Sequence, residues 1–206
     1  MTMDRRALLA LAAGLPVIGL TPLSRALAES AAGPVTGDVI LGADDAPVTV
    51  YEYASLTCPH CAAFHRDTFP EIKAQYVETG KVKFIVREVF FDRYGLWAAM
   101  VARCGGERAY YPLIDAYLVR QREWTGAQDV AAEIRRIGLG AGLSPSAMDA
   151  CLADEDLARG LVARYQETSE EHEVNSTPTF IINGTRHRGN MSFEEMAAIF
   201  DSELAS

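Results

Sequence analysis

Two cysteines with two residues between them, Cys58-Pro59-His60-Cys61, carry the clearest chemical signal in this 206-residue chain. Thiols at this spacing either close into a small disulfide or supply half of a zinc site. The flanking residues narrow the choice. Val48-Thr49-Val50-Tyr51-Glu52-Tyr53 is an apolar, β-branched run, and Ala62, Ala63, Phe64, Phe69 and Ile72 follow with helical spacing. The order is strand, turn, helix, with the thiols in the helix's first turn. Pro59 suits the first helical position, where its fixed φ helps and its missing N–H costs nothing. Cys58 then occupies the N-cap, among unpaired backbone N–H groups at the positive end of the helix dipole. A thiolate is stabilised there, and the thiolate is the reactive species.

Other residues bear on the same chemistry. Thr177-Pro178 precedes a predicted strand, where a proline needs a positional reason because it donates no ladder hydrogen bond. A cis bond there would leave Thr177 with a backbone edge for an extended peptide. His65 lies four residues after Cys61 and shares a helix face with it, touching solvent or the inserted segment at 96–174. Cys104 and Cys151 are too far apart in sequence to build a four-cysteine knuckle with the first pair. They are either two buried thiols or a structural disulfide, and a disulfide is the expectation for an exported chain. Closing a loop of that size contributes roughly 4 kcal/mol on the chain-entropy argument.

The elements that position these residues follow from periodicity. A leader rich in Ala, Gly, Pro and Asp occupies 29–47, with one short strand at Val39-Ile40-Leu41. Val48–Ala54 reads as a buried strand. The helix opened at Cys58 extends to about Thr79, kinked or interrupted at Pro70 and ended by Gly80. A second strand spans 81–91, so the unit is strand, helix, strand, which favours a parallel pair. From 96 to 174 the pattern is helical throughout, in segments near 96–104, 111–121, 127–137, 145–152 and 156–172. Thr179–Ile182, Asn183-Gly184 and Thr185–Arg188 form a hairpin signal. Ser192-Phe193-Glu194-Glu195 has the spacing of a capping box and opens a final helix to about Leu204.

The N-terminus reads as an address. Arg5-Arg6 precede an apolar stretch broken by Gly14 and Pro16, and Ala26-Leu27-Ala28 has a small-x-small cleavage pattern. These predict a signal peptide over 1–28, cleaved near Ala28, using either the general secretory or the twin-arginine route. The full chain carries a charge of −9; losing Arg5, Arg6, Arg25 and Asp4 leaves −11. That acidity argues against nucleic acid or an anionic membrane as partner.

With Cys-Pro-His-Cys, Thr177-Pro178, the helical block, the hairpin and the last helix in this order, residues 38–204 resemble the DsbA-like thiol:disulfide oxidoreductases of the bacterial envelope. The resemblance implies an α/β thioredoxin fold, residues 29–95 and 175–206, with an inserted all-helical domain at 96–174. It implies a periplasmic enzyme whose Cys58–Cys61 disulfide passes to exported proteins with free cysteines, reoxidised by a DsbB-type membrane quinone reductase. No cofactor beyond that disulfide, no metal, and a monomer are expected. Cys58 is expected to be the exposed nucleophile and Cys61 the buried resolving thiol. His60 is expected to add hydrogen bonding and partial positive charge to the Cys58 thiolate. Glu52 matches the acidic residue that thioredoxin-fold enzymes use to manage the resolving cysteine's proton, and a buried carboxylate suits that exchange. Thr177 departs from the valine often found before the cis-proline of strong oxidases, so a hydroxyl beside the thiols admits isomerase or reductase activity. Outside enzymes, the rival is a metal carrier using Cys58, Cys61 and His65.

Overall fold

The computed structural model describes residues 33–206. The signal peptide and cleavage site read at 1–28 lie outside the described residues. One mixed sheet has the strand order β2-β1-β3-β4. β1 (Val48–Ala54) and β2 (Val82–Glu88) are parallel, with Val48 opposite Val82 and Ala54 opposite Glu88. β3 (Thr179–Ile182) runs antiparallel to β1, placing Phe180 opposite Glu52. β4 (Thr185–Arg188) pairs with β3 through a two-residue turn. Asn183 and Gly184 there take φ values of 43° and 86°, the left-handed conformation that asparagine and glycine tolerate best.

Parallel strands need a long crossover, and here it carries the cysteines. α1 (Pro59–Asp67) is followed by α2 (Phe69–Ile72) and a wider π-type turn at Lys73–Val77. The helix expected over 58–79 is therefore divided at Thr68. Pro70 has no N–H to give and its ring crowds the carbonyl one turn back, so the chain restarts with Pro70 in the first turn of α2. The expected strand at Val39-Ile40-Leu41 is reduced to one bridge, Leu41 exchanging backbone hydrogen bonds with Phe84 at 2.9 Å. β2 stops at Glu88, short of the expected 91, because Asp92 becomes the N-cap of the next helix, accepting from the Tyr94 and Gly95 N–H groups.

That helix, α3 (Arg93–Cys104), opens the helical block slightly before the expected boundary at 96. α4 (Gly106–Val119), α5 (Gln121–Thr125), α6 (Val130–Gly140), α7 (Pro145–Leu152) and α8 (Glu155–Glu171) follow. α9 (Phe193–Leu204) begins with the capping box of Ser192 and Glu195. Helical block and sheet share one core, in which Phe64, Phe84 and Phe180 join Leu113, Tyr117 and Ile134. The polar seams are closed as well. The Tyr111 hydroxyl of α4 lies 2.8 and 2.9 Å from the Val39 and Phe84 carbonyl oxygens, which share its one proton. Arg103 of α3 is wholly buried and donates twice to the Glu88 carboxylate, at 2.8 and 2.7 Å, and also to the Val35 and Gly37 carbonyls. Cys104, at the end of α3, is disulfide-bonded to Cys151 of α7, with Cα atoms 6.2 Å apart. Among the described residues no helix is long and apolar enough to cross a membrane.

Candidate active site

β1 delivers the chain to Ser55-Leu56-Thr57, and α1 starts immediately after. Cys58 is the N-cap, with φ −84° and ψ 120°, and Pro59 opens the helix. The turn is held from the helical block. The Gln121 side-chain amide, buried, donates to the Leu56 carbonyl at 2.8 Å and the Cys58 carbonyl at 2.9 Å. Thr57 donates its hydroxyl to Asp92 at 2.7 Å, joining the turn to the start of α3. These ties matter because a helix N-terminus stabilises a thiolate only while the sulfur is held against its N–H groups.

Both active-site cysteines are free thiols. Cys61 is fully buried and Cys58 is 8% exposed, so the nucleophile expected to be open is nearly covered. The cover is the 177–178 segment, distant in sequence: the Thr177 carbonyl oxygen lies 3.5 Å from Cys58 Sγ, and the Thr177-Pro178 bond is cis. The two sulfurs titrate in opposite directions. A hydrogen bond from Cys61 lowers Cys58 to about 5 against the cost of burial, helped by the Thr177 side chain and the Cys61 and His60 backbone N–H groups. Cys61 is pushed far above the ordinary thiol range, first by giving that hydrogen bond, then by burial and the charge of Glu52. His60 thus acts on the sulfur through its backbone, while its side chain is exposed.

Glu52 is 0% exposed on β1. Its Oε2 lies 2.8 Å from His65 Nε2, and its Oε1 is buried with no hydrogen-bond partner among the described residues. His65 is 2% exposed. Its Nδ1 lies 3.0 Å from Asp115 of α4, so this histidine meets the helical block and turns away from solvent. Burial alone would lower its pKa, but Glu52 and Asp115 on its two nitrogens raise it to about 9. Among the described residues no group of three or more His, Cys, Asp or Glu side chains is placed to hold a metal ion.

A protein-family profile described as Thioredoxin matches residues 35–202. The chain belongs to the thioredoxin family. Its relatives place it on the DsbA-like branch. A Rickettsia conorii protein named a protein-disulfide oxidoreductase is 33% identical over 168 residues, 81% of this chain and 60% of that protein. The chain thus spans about three fifths of the length of the Rickettsia relatives it matches. The crystal structure of Wolbachia pipientis alpha-DsbA1 superposes with a TM-score of 0.77 at 29% identity, covering 84% of this chain and 94% of that one. A Novosphingobium aromaticivorans structure named a protein-disulfide isomerase follows at 0.74 and 25%, covering 82% and 98%.

For a DsbA-like protein, the sequence reading pointed to the cysteines, Glu52 and the Thr177-Pro178 step, and the structure brings all of these to one end of β1 and α1. It missed Gln121, Asp92 and Asp115. Each lies in the helical block or at its entrance, 35 to 65 residues from its partner, and carries no motif. Gln121 is marked by its burial, Asp115 by lying beside buried His65, and exposed Asp92 by capping α3, but the contacts each makes with the site are tertiary.

Proposed function

We propose that this protein is an exported thiol:disulfide oxidase, passing the Cys58–Cys61 disulfide to newly exported proteins with free cysteines. A substrate thiolate attacks Cys58, a mixed disulfide forms, and a second substrate thiol resolves it. Substrate peptide lies along Thr177-Pro178. A DsbB-type membrane quinone reductase restores the disulfide, in the periplasm, after export by either route and cleavage near Ala28. The working form is a monomer, and the disulfide needs no cofactor.

The observation that carries this reading is the placement of two free thiols one helical turn apart, Cys58 at the N-cap of α1 and lowered to about 5, Cys61 fully buried and raised. At pH 7 a thiol titrating near 5 is about 100-fold more thiolate than thiol. Against an ordinary cysteine this favours the reduced site by roughly 3 kcal/mol, or ~60 mV for two electrons. A disulfide whose reduced form is favoured in this way is a good oxidant. The test is the thiolate absorbance of Cys58 against pH, paired with equilibration in a glutathione buffer. A midpoint near 5 and ready reduction by glutathione are expected. A midpoint near that of free cysteine, or a bridge that resists glutathione, defeats the oxidase reading.

Thr177 favours a second reading, disulfide isomerisation, since this residue lies against the Cys58 sulfur and helps to lower it, and the Novosphingobium relative is named for that activity. Oligomeric state separates the two. A stable dimer or trimer in solution would favour the isomerase, a monomer the oxidase.

A further inference from the structure

The reaction proposed above leaves a proton unaccounted for. When substrate attacks, a new sulfur–sulfur bond forms at Cys58, the Cys58–Cys61 bond breaks, and its electron pair leaves on Cys61 Sγ. That sulfur is fully buried and strongly prefers its proton. The Thr177 carbonyl oxygen lies 3.5 Å from Cys58 Sγ, so a substrate held on Thr177 lies over that sulfur, and a proton route from another side leaves the two steps free of one another.

The chain offers another way in. Glu52 acts on Cys61 through its charge and keeps one buried oxygen without a hydrogen-bond partner among the described residues, while its other oxygen meets His65 Nε2 at 2.8 Å. The opposite nitrogen of the same ring meets Asp115 Oδ1 at 3.0 Å. Asp115 reaches water, its side chain 34% exposed against 0% for both His65 and Glu52. An imidazole with a carboxylate on each nitrogen takes a proton at one side and gives one at the other. We propose that Asp115, His65 and Glu52 form a proton path from solvent to Cys61, entering through the helical block, away from the face that substrate occupies. This rests on the exchange reaction proposed above and assigns its proton route.

The step balances. The Glu52 carboxylate takes a proton from His65 Nε2 and passes it to Cys61 Sγ, and His65 is refilled at Nδ1 from water through Asp115. One proton enters from solvent and ends on Cys61. The second substrate thiolate then displaces Cys58, which leaves with its electron pair and stays ionised, so no further proton is needed. Reoxidation runs the path outward: Cys61 loses its proton to Glu52 as it attacks Cys58 in a mixed disulfide with the oxidising partner, whose sulfur departs as thiolate.

The ionisable groups around the ring are Glu52 of β1, Asp115 of α4 and Cys61 on His65's own helix. Tyr111 of α4 feels the Glu52 charge but spends its hydroxyl on two backbone carbonyls. Phe64 and Phe69 cover the remaining faces, ring centroids 5.6 and 4.6 Å from the imidazole. His65 is a relay held by its neighbours; it does not touch substrate.

His65→Gln keeps an amide between the two carboxylates and removes the ability to carry a proton. Asp115→Asn blocks the outer end at a part-exposed site and should fold in any case. The measurement is single-turnover reduction of the Cys58–Cys61 disulfide by a small dithiol, from pH 5 to 8, quenched by alkylation, with the Cys58 thiolate midpoint taken on each variant. We expect His65→Gln to slow the step by about 100-fold and Asp115→Asn by about tenfold, the size of a lost general acid. Both rates should become dependent on pH and on added imidazole buffer, with the Cys58 midpoint still well below that of a free thiol. Rates equal to the unaltered protein overturn the path, and so does a slowing unaffected by pH and buffer. Failure of the unaltered protein to oxidise a reduced test peptide would instead overturn the oxidase reading, so the two can fail separately.

Discussion

Cys58 and Cys61 are three residues apart at the start of a helix; Cys104 and Cys151 are separated by 47 residues and join the end of α3 to α7. The first pair stands as two thiols of opposite acidity, and the second as a closed bridge with both cysteines inside the helical block. The difference lies in what each sulfur meets when the bond opens. Cys58 gains N–H groups at a helix N-terminus and a hydrogen bond from Cys61. Cys151, 4% exposed among Met100, Leu157 and Leu161, meets as its polar neighbour the Met100 carbonyl oxygen at 3.1 Å, which accepts from a thiol and gives nothing to a thiolate. A bridge becomes an oxidant when its open form is well solvated by the protein, and a strut when it is not.

The sharpest way to break this contrast is to exchange the losses. Cys58→Ser should abolish oxidation of a reduced peptide while leaving the denaturant midpoint little changed. Cys104→Ala with Cys151→Ala should do the reverse, keeping turnover and lowering the unfolding free energy by about 4 kcal/mol in urea titration. If the second pair proves necessary for turnover, it is not a passive strut.

Gln121 tests whether the helical block holds the reactive pair in place. Gln121→Ala removes both donors from the Leu56 and Cys58 carbonyls, and should cost about 1–3 kcal/mol of stability. It should also raise the Cys58 midpoint, read by thiolate absorbance. A loss of stability with an unmoved midpoint would mean that α1 holds its own N-terminus without help from α5.

A subtler effect concerns pH. His65 is raised to about 9 from an ordinary 6.5, so its charged form is favoured by folding. Its contribution is complete below 6.5 and fades as pH rises from there through about 9. Comparing His65→Gln with the unaltered protein by denaturation should therefore show a stability gap at pH 6 that narrows towards pH 9.5. A constant gap would mean that the ring is neutral in its pocket. The smallest expected change is at Thr177. Thr177→Ala removes one of several groups lowering Cys58, and the midpoint should rise while staying below that of an ordinary cysteine.

Local features were legible in sequence. β1, the Asn183-Gly184 hairpin, α7 and the capping box of α9 appear where spacing and turn chemistry placed them, because each depends on residues within a few positions. The interruption at Pro70 also fell where its ring chemistry placed it, whereas misjudged elements failed where a neighbour competed: Asp92 shortened a strand, and Leu41 found a single partner instead of a ladder.

The chain's order alone determined that two thiols open a helix after a buried strand and that a Thr-Pro step precedes a hairpin. Spacing carries that information, since helix and strand periods are properties of neighbouring residues. Only the folded molecule decided that Cys58 is covered, that Gln121 grips its carbonyl from 63 residues away, and that His65 joins Glu52 to Asp115. These are contacts between distant segments, set by how sheet and helices pack, and the acidity of each sulfur is fixed by that packing.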